Sequence, residues 1–160
     1  MNLSKLDFEK DIEIDHIVSD ANAPSKKSAL SHLADHIAET FKVVAPVVLD
    51  HLIVQEAHQN SSMGEGVAIP TLTLKQAREP YTVLMRLAKP IPFDSVDGKP
   101  VDLICLVISP SNDGPLKLRR LSRIARLFKN KELLEKIRNT EDEDTIRALI
   151  HSPEGWMMAA

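Results

Sequence analysis

The run Val101–Ser109 is apolar at nearly every position and carries β-branched residues throughout. Such a run reads as a central strand buried on both faces. A strand of that kind needs helices on both sides of its sheet, and the rest of the chain provides them. Ser25 can cap a helix in which Ala29, Leu30, Leu33, Ile37 and Phe41 recur at three- and four-residue steps. Pro46 opens a second helix that runs to about His58 and offers Val47, Val48, Leu52 and Ile53 to the core. Three more helical segments follow the central strand, at about 116–128, 131–138 and from Thr140. The last has capping-box spacing between Thr140 and Glu143.

Shorter strands are expected at Ile17–Ala21, at Val67–Ile69 closed by Pro70, and at Tyr81–Leu87. Residues 59–66 read as a loop, and Asp97-Gly98 as a tight turn. The order predicts one α/β domain: a mixed β-sheet flanked by helices on both faces. We place a polar N-terminal segment at 1–19, the domain at 20–152 and a tail at 153–160, with the first dozen residues loose.

Bulk properties narrow the function. A net charge of −3 argues against general nucleic-acid binding. No apolar stretch approaches a membrane span, and the start lacks the pattern of a signal peptide. The lone cysteine, Cys105, sits inside the apolar run, which suits a reducing, cytosolic compartment and plain packing. His32 and His36 are four apart on the first helix, but no third ligand accompanies them, so no metal and no cofactor is expected.

Two segments go further. They are Ser61–Thr71, Ser-Ser-Met-Gly-Glu-Gly-Val-Ala-Ile-Pro-Thr, and Lys89–Leu103, Lys-Pro-Ile-Pro-Phe-Asp-Ser-Val-Asp-Gly-Lys-Pro-Val-Asp-Leu. With Ser25–Leu30 and Lys117–Ser122, they closely resemble the enzyme IIA domains of the fructose–mannitol class (type 2) of the sugar phosphotransferase system. The likeness is strongest to the nitrogen-regulatory branch and covers about residues 20–150. It implies a mixed sheet between helices and a glycine-rich loop (Ser61, Ser62, Gly64, Gly66) beside a histidine. That histidine takes a phosphoryl group from an HPr-like phosphocarrier. It also implies protein targets such as transporter or sensor-kinase components.

The chain departs from the family pattern where the chemistry lies. The acceptor histidine falls on Thr71, a usual arginine on Gln55, a second histidine on Lys117, and a loop glycine on Ser62. A neutral imidazole attacks phosphorus with a lone pair already free, whereas a threonine hydroxyl must first lose a proton to a base. Gln55 offers neutral hydrogen bonds where arginine would hold phosphate by charge. His58, just before the loop, is the displaced acceptor we expect if one exists; His16, His51 and His151 carry no pattern.

Lys117, Arg119, Arg120, Arg123, Arg126, Lys129 and Lys131 form a run without an acid. On a helical wheel Arg119, Arg120, Arg123 and Arg126 lie opposite Leu118, Leu121, Ala125 and Phe128, which predicts an exposed partner-binding stripe. Three functions follow. One is a regulatory binding protein silent at Thr71. Another is a working phosphocarrier using a different residue. The third is a nucleic-acid or acidic-surface binder acting through the basic helix.

Overall fold

The computed structural model describes residues 9–152. The six strands are β1 (His16–Ala21), β2 (Ser62–Gly64), β3 (Val67–Ala68), β4 (Thr71–Leu74), β5 (Tyr81–Ile91) and β6 (Val101–Pro110). The helices are α1 (Lys26–Phe41), α2 (Ala45–His58), α3 (Pro115–Leu127), α4 (Lys131–Asn139) and α5 (Glu143–Ile150). The sheet runs β1-β5-β6-β3-β2, and β4 also pairs with β6. It is mixed: β1 is parallel to β5, β5 antiparallel to β6, and both β3 and β4 are parallel to β6.

The central run behaves as its composition requires. Ile104, Leu106 and Ile108 enter the core under α1 and α2, while Leu103, Cys105 and Val107 enter the core under α3, α4 and α5. Successive strand residues point to opposite faces, so a run apolar at every position fits only between two helical layers. Cys105 is fully buried, and desolvation pushes its thiol up to about 12. No helix among the described residues is long and apolar enough to cross a membrane.

Several local expectations hold. The Ser25 hydroxyl accepts the Ser28 amide at 3.1 Å, and Ala29, Leu30, Leu33 and Ile37 are buried. Gly98 closes its turn by donating to the Ser95 carbonyl at 3.0 Å. Others need correction. In α2 only Val48 and Leu52 are buried; Val47 is 52% and Ile53 38% exposed, because that helix packs through a narrow stripe. The cap of α5 is Asp142, not Thr140: its carboxylate accepts the Asp144 amide at 3.2 Å.

The 59–66 loop contains strand β2, and Thr71–Leu74 resumes the β3 line as β4 after Pro70 interrupts it. Proline lacks the amide that a ladder needs, yet its carbonyl still accepts the Val107 amide at 3.0 Å. The packed body also begins ahead of residue 20, since Ile12, Ile14 and Ile17 are buried in the core under α3–α5. Residues 1–8, expected to be loose, and the 153–160 tail lie outside the described residues.

Candidate functional site

The two motif segments dock on one another. Asn60 Nδ2 donates to the Phe93 and Asp94 carbonyls at 3.3 and 2.7 Å, and its Oδ1 accepts the Ser62 amide at 2.7 Å. Gly64, Glu65 and Gly66 all have positive φ, at 85°, 56° and 81°, which turns β2 back onto β3. Glycine adopts this region at little cost. The Glu65 amide donates to Asp97 Oδ2 at 2.9 Å, and that bond, followed by the one from the Lys99 amide, holds the Asp97 carboxyl below its ordinary range.

Arg138 from α4 completes the clamp, donating to both Asp102 carboxylate oxygens and, at 2.6 Å, to the Glu65 carbonyl. Gly64 and Gly66 therefore shape the hairpin and line no opening at Thr71, and Ser62 is buried beneath it. Of the four loop positions, only Ser61 reaches the opening. Its hydroxyl oxygen is buried with no hydrogen-bond partner among the described residues.

Thr71 opens β4 immediately after the Pro70 break and lies between two helices. On one side are Gln55 and Glu56 of α2 with Gln59 at its end; on the other are Lys117, Leu121 and Ala125 of α3. They enclose an open cleft of about 370 Å³. A second groove of about 300 Å³ adjoins it, lined by His51, Val54, Gln55, Thr71, Leu72, Thr73 and Lys117. Thr71, Gln55 and Lys117 line both openings. Residues separated by 16 and 46 positions from Thr71 thus meet at one place.

Charge in this place is sparse. Glu56 is tied up by Lys26 Nζ at 2.9 Å and accepts the Ser61 amide at 3.3 Å. Lys117 is the sole lysine or arginine among the described residues lining either opening, and its Nζ donates to Thr73 Oγ1 at 3.2 Å. The Thr71 hydroxyl makes no hydrogen bond to another group among the described residues, so no base touches it. Hydroxyls and amides here can bind an oxyanion beside one cation.

The expected basic stripe is not what α3 presents. Arg120 is buried, donating to Asp113 Oδ2 at 2.6 Å and Ser109 Oγ at 3.1 Å, while Leu118 is 70% exposed. Arg119 and Arg123 both converge on Asp11, at 2.7 and 2.6 Å, and that carboxylate is buried against them. The helix turns Ile124, Leu127 and Arg120 inward, while Leu121, Ala125 and Phe128 of the expected apolar face pack on the core and Leu118 does not. Acids remote in sequence decide this: Asp11 neutralises arginines more than a hundred positions away. Arg126 remains on the exposed side.

The histidines also sort differently from expectation. His36 stacks on His16, ring centroids 4.1 Å apart, and its Nε2 meets Tyr81 Oη at 2.9 Å. His58 is exposed at the end of α2 and lines neither opening. His51, which carried no pattern, lines the groove beside Thr71. The signal that could have found it is its place one helical turn before Gln55, which puts the two on one face.

The chain matches the model of the family described as "Phosphoenolpyruvate-dependent sugar phosphotransferase system, EIIA 2" over residues 12–152. It is 36% identical over 129 residues to a nitrogen regulatory protein of Bradyrhizobium diazoefficiens, covering 81% of this chain and 84% of that one. It is 27% identical over 138 residues to the nitrogen regulatory protein of Escherichia coli, covering 86% and 85% respectively. Among solved structures, the nitrogen regulatory protein IIA-Ntr of Neisseria meningitidis superposes with a TM-score of 0.78 at 25% identity, over 84% of this chain and 92% of that one.

Proposed function

Because the chain belongs to the EIIA type 2 family of the phosphoenolpyruvate-dependent sugar phosphotransferase system, and its relatives include nitrogen regulatory proteins, we propose that it is a cytosolic regulatory protein of that branch. It works by binding other proteins through the face around the Thr71 cleft, and Thr71 itself does not accept a phosphoryl group. One observation carries this reading: the Thr71 hydroxyl has no hydrogen-bonded base among the described residues. Alkoxide formation has no local driver, and Gln55 gives no charge to hold the incoming phosphoryl oxygens.

The surface supports binding. Val54 and Met63, which line the openings, are 54% and 40% exposed, and Leu116 and Leu118 of α3 are 48% and 70% exposed. An apolar rim about a polar cleft suits a protein partner. Transporter or sensor-kinase components are the class of target we propose. The basic helix offers less to nucleic acid, because Arg119, Arg120 and Arg123 already hold carboxylates of this chain.

The test is chemical. The protein is incubated with phosphoenolpyruvate and the upstream phosphotransfer proteins, and any phosphate is tested for acid stability. A phosphoester on a hydroxyl survives acid. Acid-stable phosphate that disappears in Thr71→Ala overturns the reading; its absence in the wild type supports it.

A further inference from the structure

We propose that His51 is a phosphoryl acceptor, so that the reactive nitrogen has moved from the strand that begins at Thr71 to the neighbouring helix α2. The inference rests on the reading that Thr71 is silent. The groove that adjoins the cleft gathers an imidazole, a cation, two hydroxyls and an amide: His51, Lys117, Thr71, Thr73 and Gln55. No other histidine shares such company. His16 and His36 are stacked together, with His36 held by Tyr81. His32, His58 and His151 line neither opening at Thr71.

Each neighbour has a task that its chemistry fits. Lys117 is drawn to the groove by its 3.2 Å bond to Thr73 Oγ1, which places a positive charge where phosphoryl oxygens would lie. The Thr71 hydroxyl, lacking a partner among the described residues, is available to donate a hydrogen bond to one of those oxygens. Gln55 sits one turn along α2 from His51, on the same face, and offers its side-chain amide. Thr71 thereby becomes a binding group, and the attack is made by a side chain with a lone pair already free. His51 is exposed, so a donor can reach it.

The transfer balances without a further reagent when the donor is a phosphorylated imidazole on a carrier protein. The donor's P–N bond breaks, and its ring, protonated on the second nitrogen, leaves as neutral imidazole with the bonding electron pair. A P–N bond forms to neutral His51, which then carries the phosphoryl group and the ring charge. Nothing is oxidised or reduced, and no net proton is released.

The full chain is exposed separately to phosphoenolpyruvate with the upstream phosphotransfer proteins and to phosphoramidate, a small donor that needs no docking. Intact mass, peptide mapping and acid lability are then measured. We expect one acid-labile phosphoryl group, mapped to His51 ahead of His58, lost in His51→Gln and kept in His58→Gln. Thr71→Ala should retain it with formation slowed about tenfold, the effect of losing roughly one charge-assisted hydrogen bond. If neither donor modifies His51 ahead of His58, or if the modification survives in His51→Gln, the inference is overturned while Thr71 stays silent. Acid-stable phosphate dependent on Thr71 would overturn the reading beneath it as well.

Discussion

A Cβ built at Gly66 would lie 2.5 Å from Arg138 Nη2. That guanidinium cannot simply swing away, since it is held by the Asp102 carboxylate at 2.9 Å and the Glu65 carbonyl at 2.6 Å. Gly66 also has φ +81°, where an L side chain is strained. Gly66→Ala should therefore lower stability by about 1–3 kcal/mol, measured by urea denaturation. A neutral result would mean that the clamp on the hairpin is loose.

Arg120 and Asp113 form an ion pair whose side chains are 4% and 8% exposed. Removing one partner leaves a buried charge without its counter-ion, which typically costs about 3–5 kcal/mol. Arg120→Met should be destabilised in that range, and adding Asp113→Asn to it should restore part of the loss. Equal stability of the single and double variants would show that Asp113 reaches water once Arg120 is gone.

Burial, aided by His16, holds the His36 pKa below the ordinary histidine value of about 6.5, and Glu39 opposes this. The unfolded chain therefore binds this proton more readily than the folded one. The associated stability is present above about pH 6.5 and is lost as pH falls below it toward the depressed folded value. Around the ring stand His16 from β1, Glu39 and Thr40 from α1, and Tyr81 from β5. Thermal unfolding followed by circular dichroism should show midpoints dropping from pH 7 to pH 5.5, with a shallower drop in His16→Gln. A midpoint independent of pH in both proteins would contradict the assignment.

Cys105 has no exposed surface, and its thiol is pushed up to about 12. Since the thiolate is the nucleophile, a disulfide reagent at pH 8 should leave the native protein unmodified and react once denaturant unfolds it. The urea midpoint for labelling should match that from circular dichroism. Rapid labelling of native protein would show that β6 opens locally.

The run that became β6 shows why the fold was legible. Being apolar at successive positions, it demanded two covered faces whatever the rest of the chain did. The cap at Ser25 and the turn at Gly98 likewise depend on residues within a few positions of one another. Strand β4 was less legible: four residues after a proline become a strand only because β6 is already there to pair with them. On α3, Leu118 and Arg120 were misplaced because a helical wheel weighs side chains by type and spacing alone. It cannot see that Asp113 and Ser109 both accept from Arg120 Nη1 inside the core.

At the candidate site, residue identities alone raised the question at Thr71 and linked it to Gln55 and Lys117 through the resemblance of the motifs. Chain order could not say which histidine stood nearby, since proximity across α2, β4 and α3 belongs to packing. That packing put His51 in the groove and left His58 outside it. Local pattern follows from backbone geometry and short-range hydrogen bonds, which the sequence by itself determined. Which charges meet, and which imidazole shares a groove with the threonine, are long-range matters that only the tertiary structure decided.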